Sequence, residues 1–349
     1  MDERTAMSLE RSGPLADDRH AAQRWLACDG PMVSISARGW RRRPAPHPSG
    51  QRKRTVTWVD DGGDPVSLGA FRKAVESAER HAGPGAEVEH ELCTTGARLD
   101  DAWCRFLAER DVLVGLSVDG DLAAQTSAEG VALAHRRILG AAQLLRRHGV
   151  DCNVVCRVHA GNAGRPQELY RCFRDEIGVR HVQFLPIVER SAPVRRGGHL
   201  RAGPATVSER TITPEQWGAF LVAVFDEWVR RDVGRQFVKI FEDTLAAWST
   251  ATRRPRAARA GGERLPLDCR CCPVLFACEG GRPADRFAES PDGEPGLNYL
   301  CAGYREFFDH VDQPMRVMAA LLRGGRDAGA IMNVMARYER ERPAVWSRA

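Results

Sequence analysis

Four cysteines in the last third of the sequence are spaced to hold one metal centre. Cys269 and Cys272 form a C-x2-C pair, Cys278 follows after five residues, and Cys301 after another twenty-two. A C-x2-C turn lets two sulfurs converge on one metal, and four thiolates satisfy either a tetrahedral zinc ion or a four-iron cluster. The two glycines after Cys278 permit tight backbone turns around such a centre. Spacing alone does not choose between zinc and iron–sulfur.

The isolated cysteines give weaker signals. Cys271 lies inside the same segment, but its neighbours already pair at C-x2-C spacing, so we do not predict it to be a ligand. Cys93, Cys104 and Cys172 stand alone in the sequence. Single reduced cysteines of this kind usually behave as small buried hydrophobic residues, and we predict that role for them.

A second cysteine pattern, Cys152, Cys156 and His159, has the spacing C-x3-C-x2-H. It falls in a segment that we predict to be a β-strand. Four residues along a strand span about 13 Å, which is too far for two thiolates to share one cluster. We therefore predict no metal at this pattern.

Short apolar runs alternate with amphipathic segments between Thr55 and Trp248. The predicted strands are Thr55–Val59, Val88–Cys93, Val112–Val118, Asn153–Val158 and Val182–Val188. Strands of this length that alternate with helices indicate βα units and a parallel sheet. The strands are continuously apolar in places, which is typical of a sheet covered by helices.

A strongly amphipathic helix is predicted to begin at Thr213-Pro214, with threonine as N-cap and proline in the first turn. Its apolar side chains recur at helical spacing and predict one buried face: Trp217, Phe220, Leu221, Val224, Phe225 and Trp228. Core packing explains these aromatic residues better than a cofactor site does.

The remaining segments bound the domains. Residues 1–54 lack hydrophobic periodicity and carry a run of basic residues, so we predict a disordered basic N-terminal segment. Residues 55–248 form the α/β unit, and the Ala/Arg/Gly-rich residues 249–264 form a linker. Residues 265–349 hold the cysteine-rich segment and terminal helices, the last around Ile331–Tyr338.

Composition restricts the function classes. The chain has 349 residues with a net charge of +5, which is too mild to indicate nucleic-acid binding. No apolar run is long enough for a membrane helix, and the charged N-terminus has no secretory pattern. Eleven cysteines are many for a chain that we expect to be cytoplasmic. In a reducing compartment, clustered cysteines are metal ligands or catalytic thiols more often than disulfides.

The cysteine segment LPLDCRCCPVLFACEGGRPADRF, followed by GLNYLCAGYREFF, resembles the C-terminal domain of anaerobic sulfatase-maturating enzymes. These are radical S-adenosylmethionine (SAM) proteins with a SPASM domain. The resemblance continues through HGVDCNVVCRVHAGN, VRHVQFLPIVER and WVDDGGDPVSLGAFRKAVE, and it spans roughly residues 55–331. Several motifs in a fixed order make this resemblance specific.

The resemblance implies an α/β fold: an incomplete radical-SAM-type (β/α)6 partial barrel, a small cysteine-rich SPASM-like domain and terminal helices. It implies one four-iron cluster at Cys269, Cys272, Cys278 and Cys301, which match the ligands of the family's second auxiliary cluster. Residues that match the family's SAM contacts are Gly62, Gly63 and Asp64 in a Gly-Gly-Glu-Pro-like turn, Ser117 on one strand and Ile187 near the adenine strand. The family oxidises a Cys or Ser of a sulfatase to Cα-formylglycine, so a sulfatase peptide is the implied partner.

The sequence departs from this family at the residues that start the reaction. Radical SAM chemistry needs three thiolates from a C-x3-C-x2-C loop after the first strand. Before Thr55 this chain has one cysteine, Cys28. The cysteine-bearing insert of the first auxiliary cluster is shortened to residues 249–264, and Arg282 stands where the family has a cysteine. The family's proposed proton acceptor also falls in the shortened stretch.

We therefore predict a sulfatase maturase-like protein that is inactive alone, with no catalytic residue assigned, doubtful SAM binding and one retained cluster. The alternative is a non-catalytic scaffold or peptide-binding protein that holds iron–sulfur or zinc. A third hypothesis, a damaged reading frame, would explain the Arg/Pro-rich start of the sequence. Translation of the surrounding DNA in all frames would reveal the missing C-x3-C-x2-C motif if that hypothesis is correct.

Overall fold

The computed structural model describes residues 32–34, 53–59, 67–82, 87–119, 128–190, 207–250 and 265–341. Seven parallel strands form one sheet in which spatial order equals chain order. They are β1 (Met32–Ser34), β2 (Lys53–Val59), β3 (Glu87–Thr94), β4 (Leu113–Asp119), β5 (Cys152–Val158), β6 (His181–Pro186) and β7 (Phe237–Val238). A sequential parallel order places every crossover on the same face of the sheet. The fold is therefore an α/β partial barrel.

Ten α-helices lie in the part of the chain that is described. They are α1 (Leu68–His81), α2 (Asp101–Glu109), α3 (Ala128–Arg147), α4 (Pro166–Arg171), α5 (Pro214–Arg231), α6 (Lys239–Ser249), α7 (Leu267–Arg270), α8 (Leu275–Cys278), α9 (Cys301–Arg323) and α10 (Ile331–Glu341). A π-helical turn, Cys172–Ile177, continues α4, and a short antiparallel hairpin of β8 (Ala288–Glu289) and β9 (Pro295–Leu297) lies between α8 and α9. Among the described helices, none is both long and apolar enough to cross a membrane.

The two faces of the sheet differ in chemistry. Alternate residues such as Trp58, Leu92 and Val154 join the main hydrophobic core beneath the helices. The residues between them point to the concave face, where Thr57 donates a 2.8 Å hydrogen bond to the buried carboxylate of Glu91. Because side chains alternate along a strand, one sheet provides both an apolar outer face and a polar inner face.

The predicted parallel sheet is confirmed, and all five predicted strands are present with ends shifted by one or two residues. The helix predicted from Thr213-Pro214 is also confirmed. Thr213 accepts a hydrogen bond from the N–H of Gln216, and the Gln216 side chain accepts one from the N–H of Thr213. All six apolar residues of its predicted stripe are buried.

The structure corrects the prediction for the N-terminal segment at two places. Met32–Ser34 forms β1, which pairs in parallel with β2, and β2 itself begins at Lys53 rather than at Thr55. The predicted disorder is therefore wrong for these residues. A strand of three residues is too short to show a recognisable alternating pattern in the sequence. It is defined by its pairing with residues twenty-five positions further along the chain, with Met32 opposite Thr57. The rest of residues 1–52 lies outside the described residues.

Helix α9 packs very closely against α5. A Cβ atom on Gly303 would overlap the carbonyl oxygen of Pro214 and would lie 2.9 Å from the backbone nitrogen of Gly218. Aromatic rings extend the contact, since Phe307 of α9 packs edge-on against Phe225 of α5 and stacks on Phe241 of α6. The cysteine-rich segment is thus fastened to the barrel through the helix that begins at Cys301.

We expect Gly303→Ala to lower the free energy of unfolding by about 2–3 kcal/mol, because the methyl group has no space between α9 and α5. Gly140→Ala is the matched control, since Gly140 is an exposed helical glycine with open space at its Cβ position. That variant should gain about 0.5–1 kcal/mol from helix propensity. Urea unfolding of both variants measures the difference, and equal effects would contradict the close packing.

Glu242 in α6 should make stability depend on pH. Burial, reinforced by neighbouring Asp243, raises the pKa of Glu242 from about 4.5 to about 7. The folded state therefore binds this proton more tightly than the unfolded state, and stability is lost as the pH rises from 4.5 through 7. Glu242→Gln should be more stable than the parent by about 1–3 kcal/mol at pH 8 and no different near pH 4.

Urea unfolding at both pH values gives this comparison. The exposed Glu109, at the end of α2, provides the control variant Glu109→Gln. A stabilisation of Glu242→Gln that is the same at both pH values would show that the proton at this site is not responsible.

Candidate metal centre

Three short elements position the four cysteines. Cys269 is in α7, Cys272 follows its C-terminal end, and Cys278 is the last residue of α8. Cys301 begins α9, and its N–H donates a 3.0 Å hydrogen bond to the Asn298 carbonyl oxygen. Helices of four residues are unstable in isolation, so tertiary contacts must hold α7 and α8 in place.

The four sulfurs line one small cavity. Its remaining wall is largely apolar and is formed by Val274, Leu275, Tyr304 and Phe308, together with Gly280 and Arg305. Cys271 does not line this cavity and is exposed to solvent, which agrees with its prediction as a non-ligand. The structure thus brings together the four predicted metal ligands.

The donor set of the cavity restricts the group that it can hold. Four cysteines that meet at one small, largely apolar cavity supply the ligands of a tetrahedral zinc ion or of a four-iron cluster. The residues present therefore fit either group.

A sharp turn after Cys278 shapes one wall of the site. Glu279, Gly280 and Gly281 all have positive φ, at 51°, 79° and 65°. The backbone of Gly280 acts on the Cys278 thiol and opposes the rise of its pKa, and the N–H of Gly281 donates to the Cys278 carbonyl oxygen at 2.8 Å. The Arg286 guanidinium donates to the carbonyl oxygens of all three turn residues. The turn therefore brings one backbone group that favours the thiolate form next to this sulfur.

Burial controls the protonation of these thiols. It raises the pKa of Cys269 to about 11 and that of Cys278 to about 12, and it also raises the pKa of Cys301. The negative charges of neighbouring thiolates act in the same direction for all three groups. A metal centre must therefore displace protons from this site, and its positive charge would stabilise the thiolates. The donor set fits an iron–sulfur cluster.

The predicted SAM contacts are only partly described. Ser117 is half-buried near the end of β4, and its alternation with the outward-facing Leu116 and Val118 places it on the concave face. Ile187 directly follows β6, where its N–H donates to the Val158 carbonyl oxygen at 2.8 Å. Both residues therefore lie at the carboxyl-terminal edge of the sheet. Gly62, Gly63 and Asp64 lie outside the described residues.

Of the remaining cysteines in the described ranges, Cys172 alone belongs to a group of three possible metal ligands, together with His135 and Glu176. Cys152 and Cys156 belong to β5 and contact the core under the helices, so they are on the outer face of the sheet. Cys104 is buried, and burial raises its pKa to about 11. Cys172 is partly buried beside the ion pair of His135 and Glu176, whose nearest atoms are 3.2 Å apart.

Two charged residues of the site were not predicted from the sequence. Arg305 lies one helical turn after Cys301 and lines the cavity, and Asp268 precedes Cys269 and forms an ion pair with Arg305. The available signal in the sequence was that Asp268 directly precedes Cys269 and that Arg305 lies one helical turn after Cys301. Sequence could not reveal that these two residues, thirty-seven positions apart, form a pair with each other.

Comparison with known proteins gives concordant results for sequence and structure. No profile of a known protein family matches the chain. A serine-type anaerobic sulfatase-maturating enzyme of Bacteroides thetaiotaomicron is 32% identical, and the alignment covers 80% of this chain and 81% of the relative. The cysteine-type enzyme of Clostridium perfringens strain 13 is 22% identical, with 72% of this chain and 80% of the relative covered.

Solved structures support the fold. The structure described as native anSMEcpe with bound AdoMet superposes with a TM-score of 0.56 at 19% identity, over 77% of this chain and 86% of that chain. The same protein with bound AdoMet and Cp18Cys peptide gives a TM-score of 0.57 over the same shares, also at 19% identity. At this level of identity the likeness concerns the fold.

We expect Cys278→Ala to lower the iron and sulfide content after anaerobic reconstitution, because one iron of the cluster loses its thiolate ligand. Cys271→Ala is the matched control, since it removes a neighbouring but exposed cysteine. It should retain the iron and sulfide content of the parent. Chemical analysis of both elements provides the measurement, and equal loss in the two variants would contradict the ligand assignment.

Proposed function

The chain belongs to the anaerobic sulfatase-maturating enzyme family, and on that basis we propose that it binds one iron–sulfur cluster and a sulfatase peptide without starting radical chemistry itself. One contrast carries this proposal. Four cysteines line a single cavity in the SPASM-like segment, whereas the 349 residues contain no C-x3-C-x2-C motif. The proposed protein is thus a binding relative of the radical SAM maturases.

Radical initiation depends on a thiolate trio that this sequence does not supply. Three cysteine ligands leave one iron of a four-iron cluster free to bind SAM, and that cluster delivers the electron that cleaves the cofactor. The nearest spacing in the chain is that of Cys152, Cys156 and His159. The first two face the outer helical layer from within β5, so they do not replace the trio.

The described part of the barrel supports binding rather than chemistry. Its concave face keeps buried polar groups, including Asn153 and Gln183 on neighbouring strands, and the ends of β4 and β6 carry Ser117 and Ile187. Such a face at the carboxyl ends of parallel strands is where folds of this class hold their ligands. A peptide occupant is proposed because a relative with this fold is described with a bound peptide.

The proton acceptor of the family's reaction has no counterpart assigned in this chain, because it falls in the stretch that is shortened here to residues 249–264. Arg282 separately replaces a cysteine that the family has after Gly-Gly. The Arg282 carbonyl oxygen lies near the Asn298 side chain, at 3.5 Å from its nitrogen. We therefore assign no catalytic residue.

A zinc-binding scaffold is the second candidate. It would need the same four cysteines and no sulfide. Membership of a family of iron–sulfur enzymes favours the cluster over zinc. One zinc ion per chain without sulfide would instead establish the scaffold.

The decisive experiment combines metal content with SAM cleavage. The full chain is reconstituted anaerobically with iron and sulfide, and it should contain about four irons, one for each thiolate of the site. With SAM and dithionite, it should release no 5′-deoxyadenosine above a protein-free reaction. The relative from Bacteroides thetaiotaomicron is the positive control under identical conditions. Eight or more irons, or cleavage of SAM, would overturn the proposed loss of initiation.

Peptide binding is measured separately. A fluorescent peptide that carries the modifiable cysteine of a sulfatase is titrated with the reconstituted chain, and a scrambled peptide of the same composition is the control. Saturable binding of the first peptide alone is expected. Equal binding of the two peptides, or no binding of either, would contradict the proposal that a sulfatase peptide is the partner.

A further inference from the structure

The Arg305 guanidinium forms part of the wall of the cavity that the four cysteines line. Its positive charge lies close enough to interact with the thiolates of Cys272 and Cys301. Arg305 follows Cys301 by four residues in α9, so the two side chains project from one face of the helix. Two cysteines that reach the cavity from different elements therefore share one neighbouring cation.

Asp268 holds this guanidinium at the site. Its carboxylate forms an ion pair with Nη2 of Arg305, and the residue directly precedes Cys269 in α7. The Nε atom of Arg305 is buried and has no hydrogen-bond partner within the described ranges. A buried N–H without an acceptor is costly. An iron–sulfur cluster would bring sulfide acceptors into this cavity, and these are the kind of partner that Nε lacks.

We propose that Arg305 raises the reduction potential of the cluster held by Cys269, Cys272, Cys278 and Cys301. This inference rests on the proposed function, since it requires a four-iron cluster at the site. On reduction, the cluster takes one electron from an external one-electron reductant such as dithionite, and no bond is formed or broken. The added negative charge is stabilised by hydrogen bonds to the thiolates and by a nearby positive charge.

A redox titration of the reconstituted full chain, followed by electron paramagnetic resonance, tests the inference. Arg305→Gln removes the charge and should lower the ratio of reduced to oxidised cluster about tenfold at the parent's midpoint potential, which corresponds to about 59 mV for one electron. Arg305→Lys keeps the charge but loses the planar guanidinium, so a smaller decrease in the same direction is expected. Arg270→Gln is the matched control, because it removes the same charge from an exposed position in α7. Its potential should stay close to that of the parent, because solvent and salt screen an exposed charge.

The outcomes separate this inference from the proposed function. Iron and sulfide are measured on every sample, and a parent chain without sulfide would overturn both statements together. A loaded parent whose potential is unchanged in the Arg305 variants would overturn the inference alone. An equal shift in Arg270→Gln would also overturn it, because net charge rather than the contact would then be responsible. If Arg305→Gln takes up no iron, a lowered potential in Arg305→Lys supports the inference and an unchanged one overturns it.

Discussion

Four thiols meet at one largely apolar cavity. The free-energy cost of ionising them there is the main electrostatic constraint on the C-terminal third of the protein. Burial and mutual repulsion oppose the thiolate form, so the arrangement is favourable only when a positively charged centre compensates the sulfurs. The surrounding structure is consistent with that demand. The backbone of Gly280 favours the thiolate form of Cys278, and the positively charged Arg305 lines the same cavity. The short helices α7 and α8 have little stability except through these contacts.

The same site is mechanically joined to the barrel. Cys301 begins α9, and two residues later Gly303 permits the close approach to α5. Stacked and edge-on aromatic rings of α5, α6 and α9 continue that contact along the helices. A cluster bound at the cysteines would therefore stabilise the junction between the two parts of the fold, because binding to the folded state alone shifts the folding equilibrium.

The barrel separates the residues that fold the chain from those that face the concave side. Apolar residues on the outer face of the sheet form the hydrophobic core. Buried polar residues such as Asn153 and Gln183 lie on the concave face instead. The proposed inability to start radical chemistry concerns loop cysteines rather than core residues, so it is compatible with family membership.

Sequence by itself determined the parallel α/β architecture and the amphipathic helix from Pro214, and its spacing singled out four cysteines that line one cavity. These follow from local periodicity, capping and spacing, which need no knowledge of distant contacts. Tertiary structure decided what local patterns cannot encode. Strand β1 forms by pairing with β2. Helix α9 packs against α5 at Gly303, where the carbonyl oxygen of Pro214 leaves no space for a side chain. Arg305 meets Asp268 and the sulfurs only after residues far apart in the chain are packed together, because side-chain contacts across elements depend on three-dimensional proximity rather than on sequence spacing.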